Sequence, residues 1–68
     1  MPATNPSRAA PARAVRARRV ADVLRQRIVA GAYPQGLLPS ERDLGEELAA
    51  TRNVVREALG LLRAEGLV

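Results

Sequence analysis

The sequence predicts a mostly α fold of three helices, the last two joined by a tight turn. Apolar residues recur at helical spacing at Val20, Val23, Leu24 and Ile28, and again at Val55, Ala58, Leu59 and Leu62. Between these stripes Pro39-Ser40 and Thr51 supply two helix starts, and Gly31 and Gly66 supply stops. With 68 residues the chain holds one small domain, a size at which stability is marginal without a partner or ligand.

The first helix is expected over about Val15 to Ala30, with Arg16, Arg19, Gln26 and Arg27 facing outward and Val29 bordering the stripe. Gly31 ends it, and Ala32-Tyr33-Pro34-Gln35-Gly36 makes a turn. Tyr33, the one aromatic residue, reads as a packing residue with its hydroxyl at the surface in preference to a base-stacking platform. Leu37-Leu38 is then briefly extended, because Pro39 steers Leu38 away from helical angles. Upstream, residues 1–14 read as a flexible basic arm, since Pro2, Pro6 and Pro11 stand among alanines and small polar residues with nothing to pack. Two roles stay open for that arm, a solvated tail or an added phosphate-binding element.

The two-helix unit is Ser40 to Leu67. Ser40 is placed to cap a helix, Asp43 three residues on completes a short-armed capping box, and Glu41 and Asp43 set negative charge at its positive end. That helix runs to about Ala49 with Leu44 and Leu48 inward; Gly45 weakens it, either to admit a crossing helix or as a tolerated small residue. Thr51 caps a longer helix from Arg52, which Gly66 terminates. Opposite its apolar face lie Arg52, Arg56, Gly60 and Arg63, with Asn53 beside them. Two short helices with donor-bearing side chains clustered in the first turn and a half of the second are the layout of a helix-turn-helix reader of duplex DNA. Arginine presents a planar fork to guanine or phosphate, and asparagine pairs bidentately with adenine. Any one of these arginines alone is equally a solvated side chain or the partner of a nearby acid.

Taken together, Gly31, Gly36, Leu38-Pro39-Ser40-Glu41-Arg42, Leu44, Leu48, Arg52, Val55-Arg56, Ala58-Leu59, Leu62 and Gly66-Leu67 resemble the N-terminal domain of the GntR family of bacterial transcription regulators, over about Val20 to Val68. The resemblance implies a winged helix-turn-helix domain, here truncated before the wing, with DNA contacts at Ser40, Arg42, Thr51, Arg52, Asn53 and Arg56. It further implies an operator of duplex DNA as partner, homodimerisation in the full-length protein, most often a repressor's role, and a cytoplasmic place at the nucleoid. The effector ligand of such regulators is not bound by this segment, and no cofactor or metal is implied. Three departures stand out: Gly45 replaces a usual alanine and Ala50 a larger apolar residue, so looser packing is expected at the turn. Val54 and Asn53 stand where threonine is common, which removes a hydroxyl and leaves the operator unspecified.

Composition narrows the alternatives. There is no cysteine or histidine, so neither a disulfide, a thiolate metal site nor a Ser/His/Asp set is available, and no enzyme is expected. All eleven basic residues are arginine. Residues 1–19 hold five of them and no acid, whereas residues 20–68 hold six against seven acids. No stretch has the pattern of a secretory signal or the length of a membrane span. Leu67-Val68 reads as the opening of a wing strand, so a fragment is expected. Two further functions are left open: a basic amphipathic helix on an anionic membrane, formed by Arg13 to Ile28, and a protein-interaction fragment docking through its leucine-rich faces.

Overall fold

The computed structural model describes residues 6–68, with side chains from residue 12 onward. Three α-helices follow one another: α1 (Pro6–Val29), α2 (Glu41–Leu48) and α3 (Arg52–Ala64), with a short 3₁₀ turn at Pro34–Gly36. α1 packs chiefly against α3, and α2 packs against α3 as well. The core between them is wholly apolar. Ala17, Val20, Ala21 and Leu24 enter it from α1, Leu44 from α2, and Val54, Val55, Ala58 and Leu62 from α3. Ile28, Tyr33, Leu48, Ala50, Leu59 and Leu67 pack around that centre.

α1 begins at Pro6, well before Val15. Alanine and arginine, which dominate its early turns, are among the best helix formers. Pro6 takes the first helical position, where no N–H is needed. The helix continues through Pro11 at the loss of one hydrogen bond. The arm expected over residues 1–14 is therefore helical from residue 6, and residues 1–5 lie outside the described residues. The buried stripe is also rotated from the expected one: Ala17 and Ala21 lie in the core, and Val23 is 38% exposed. Alanines at those two positions let the backbones of α1 and α3 come close, which turns the stripe toward them.

Both long helices end in the same way. After α1, Gly31 takes φ +81°, its N–H reaches the Ile28 carbonyl at 3.1 Å, and the Ala32 N–H reaches Arg27 at 2.9 Å. After α3, Gly66 takes φ +78°, with its N–H on Arg63 and that of Leu67 on Leu62, each at 3.0 Å. This is the Schellman arrangement, in which a left-handed residue returns two N–H groups to the last carbonyls, and glycine adopts that angle without a Cβ clash. It folds Leu67 back onto the core.

Two arginines of α1 tie the other helices to it. Arg25 donates through Nε and Nη2 to the two carboxylate oxygens of Glu65 at 2.8 and 2.6 Å, and through Nη1 to Asp22 at 2.6 Å. Those bonds from Arg25 hold the Glu65 carboxyl below its usual range. Arg27 donates to Glu47 of α2 and to the Tyr33 hydroxyl, both at 3.1 Å. Tyr33 is thus a packing residue with its hydroxyl engaged at the rim, as expected.

The α2–α3 turn is closed tightly at Gly45. The Gly45 carbonyl accepts the N–H groups of Ala49, the C-cap of α2, and of Ala50. A Cβ built on Gly45 would lie 2.9 Å from the Ala50 carbonyl oxygen. The close approach is by the turn backbone and not by a crossing helix, so the looser packing expected there is corrected. Ala49 adopts φ +52° to make the turn, an angle that costs an L-residue roughly 1–2 kcal/mol. Opposite effects are expected at these neighbouring sites. Gly45→Ala forces Cβ against backbone and lowers stability by about 1–3 kcal/mol despite alanine's better helix propensity. Ala49→Gly relieves strain and leaves the chain up to about 1 kcal/mol more stable. Thermal melting followed by circular dichroism checks both, and a stabilising Gly45→Ala contradicts the close contact.

Candidate nucleic-acid interface

Each capping residue does locally what its sequence position implies. The Ser40 Oγ accepts the Asp43 N–H at 3.1 Å, and the Thr51 Oγ1 accepts the Val54 N–H at 3.3 Å. These bonds fix where α2 and α3 begin, and each hydroxyl keeps its own O–H to donate outward. Val54 is 3% exposed. It points into the core beside α1, so it is no surface counterpart of the threonine expected there. α1 covers the first turn of α3 on that side, and a valine fits a dry site better than a hydroxyl does.

The burial of Val54, Val55, Ala58 and Leu62 forces the remaining face of α3 outward. Arg52, Asn53, Arg56 and Arg63 are all exposed. Arg52 also shares a shallow cleft with Arg42 of α2, lined further by Glu41, Gly45, Glu46 and Ala50. Arg52 and Arg56, one turn apart, converge on one carboxylate oxygen: Glu41 Oε1 lies 3.7 Å from Arg52 Nε and accepts a hydrogen bond from Arg56 Nε at 3.2 Å. Arg42 Nε lies 3.5 Å from Glu46 Oε1. The arginines are therefore gathered on one edge and paired. They are not locked inward, because the side chains of Arg42, Arg52 and Arg56 keep 87, 74 and 59% exposure. Pairs this exposed are worth about 0–1 kcal/mol each, little enough to exchange for a stronger acceptor.

The sequence pattern of the bacterial regulatory proteins of the gntR family matches residues 16–68. The chain belongs to the GntR family. Among curated relatives it is 46% identical over 50 residues to an uncharacterized HTH-type transcriptional regulator, YieP, of Escherichia coli K12, covering 72% of this chain and 22% of that protein. It is 41% identical over 51 residues to the Uxu operon regulator of Haemophilus influenzae, covering 74% of this chain and 19% of that protein. No solved structure matches the chain at a comparable level of significance. This GntR segment carries the family's helix-turn-helix domain and spans about a fifth of the length of the curated relatives it matches.

Glu41 had no assigned role in the sequence beyond the helix dipole. Its pairing across the α2–α3 angle is a tertiary contact that i, i+3 or i, i+4 spacing does not reveal. In this GntR domain it bridges two arginines that stand one turn apart on α3. Glu41→Gln is expected to change stability by no more than about 0.5 kcal/mol, since an exposed pair is lost. The ¹⁵N-resolved Arg56 Nε–H resonance should move to the position of a solvated arginine, and an unmoved signal contradicts the pairing.

Proposed function

We propose that this chain reads duplex DNA in a sequence-specific manner, with the N-terminal turn and a half of α3 in the major groove. The observation that carries the reading is the gathering of Arg42, Arg52 and Arg56 on one exposed edge, with Asn53 exposed beside them in the first turn of α3. Arg52 and Arg56 supply planar forks for guanine, Asn53 an amide for adenine, and Arg42 a further base or phosphate contact. Ser40 and Thr51 stand at the two helix starts, from which their O–H groups donate to phosphate oxygens.

The regulator so equipped acts as a homodimer on a two-fold operator in the cytoplasm, at the nucleoid, and works as a repressor rather than as an enzyme. Dimerisation, in this reading, brings two α3 helices to successive major grooves. No helix among the described residues is long and apolar enough to cross a membrane. The membrane-surface alternative also loses its apolar face, because Ala17, Val20, Ala21 and Leu24 of α1 are buried in the core.

Selection of duplexes from a random pool identifies the preferred sequence. On that sequence Arg52→Ala is expected to lower affinity by about 1–3 kcal/mol, with a smaller loss on an unrelated duplex. Equal losses on both assign Arg52 to phosphate alone and contradict its place in base discrimination.

A further inference from the structure

The edge that carries Arg42, Arg52 and Arg56 also carries Glu41 and Glu46, two acids that pair with the three arginines. A polyanion meets a net charge of only one there, from three arginines against two acids. The surplus lies elsewhere, on the N-terminal half of α1, where Arg13, Arg16, Arg18 and Arg19 precede the first acid of the chain, Asp22. Among the described residues Arg13 makes only a long contact, 4.0 Å to Glu57, and Arg16, Arg18 and Arg19 make no ion pair. Arg16 and Arg19 are exposed on a helix held in place by its buried alanines and valine.

Three of these arginines face the reading edge. Arg13 and Arg16 share a groove with Thr51 and Asn53 at the start of α3. Arg16 and Arg19 line an adjoining groove with Leu48, Ala49, Ala50 and Thr51. Thr51 belongs to both, so a strip of guanidinium groups runs from α1 to the first turn of α3 without a carboxylate in either groove. Arg18 points to another side, beside Gly60 and Leu61. The chemistry is right as well, because arginine's fork matches a phosphate's paired oxygens.

We infer that Arg13, Arg16 and Arg19 form a second, sequence-independent contact of α1 with the DNA backbone, gripping phosphates that flank the groove entered by α3. The inference rests on the reading of α3 as the recognition helix, and it deepens that reading by dividing the labour. α3 discriminates sequence from an edge whose arginines are paired with Glu41 and Glu46, and α1 supplies the counterion-releasing attraction. Arg13 precedes residue 16, where the family match begins, and Arg16 and Arg19 lie within it.

The test compares Arg16→Gln, Arg18→Gln and the double change Arg16→Gln/Arg19→Gln in the full 68-residue chain, using the pool-selected duplex and an unrelated one. Affinity is measured by fluorescence anisotropy across salt concentrations. The expected result is that Arg16→Gln weakens both duplexes alike, by about 3- to 10-fold at low salt, and reduces the slope of log affinity against log salt by about 1. The double change should reduce the slope by about 2, and Arg18→Gln, which removes the same charge from another side, should leave it unchanged. Equal effects of Arg16→Gln and Arg18→Gln overturn the inference in favour of net charge alone. A loss confined to the selected duplex overturns it in favour of a base contact. Absence of salt-dependent binding by the unaltered chain removes the recognition reading itself, and shows before any variant is made.

Discussion

The burial of one face of α3 is the constraint on which the rest of the molecule depends. Val54, Val55, Ala58 and Leu62 are held at 3% exposure or less by α1 and α2. Fully burying a side chain such as valine or leucine contributes about 1.5–3 kcal/mol, so turning α3 about its axis to present another face would expose apolar surface worth several kcal/mol. The orientation of Arg52, Asn53 and Arg56 follows from that burial. It needs no directed polar bond, and the contacts these residues do make, to Glu41, are of the exposed and weakly stabilising kind. Fold and reading edge are in this sense two faces of one helix.

The helix starts and stops were legible in the sequence because their chemistry is local. Ser40 and Thr51 accept the N–H three residues on, and Gly31 and Gly66 take left-handed angles, as residue type and position foretell. The apolar stripe of α3 was readable to within one position, Val54 joining the core and Leu59 moving to its margin. What escaped was set by tertiary contact. Val23 fell outside the core because Ala17 and Ala21, small and uninformative in a hydropathy pattern, allow α3 to approach α1. Ala49 carries a positive φ that no side-chain preference signals, since the turn between two packed helices dictates it. The early start of α1 at Pro6 was hidden by prolines that ordinarily mark loops. At the candidate site the arginines could be placed on one face from spacing alone. The carboxylate that bridges two of them, and the nearness of α1's arginines to Thr51 and Asn53, required the fold.

The distribution of charge has a functional logic. In the proposed reading, Glu41 and Glu46 offset most of the charge of Arg42, Arg52 and Arg56, which would keep that edge from binding any duplex indiscriminately, because attraction to phosphate is sequence-independent. Long-range attraction can then reside on a flank that does not read bases. Separating the two jobs would make discrimination depend, in the proposed reading, on exchanging weak intramolecular pairs for well-formed base contacts, with a wrong base leaving those pairs broken without replacement.

The central claim is the direction in which the start of α3 points. The chain has no cysteine, so a single thiol reports position without interference. Asn53→Cys lies on the reading edge, whereas Val29→Cys, at a residue 79% exposed, lies at the far end of α1. Each chain is mixed with the selected duplex bearing a thiol on a major-groove tether, and disulfide formation is followed under exchange conditions. Cross-linking at Asn53→Cys and little at Val29→Cys is the predicted result; equal yields, or preference for Val29→Cys, would place another face of the protein in the groove and contradict the account.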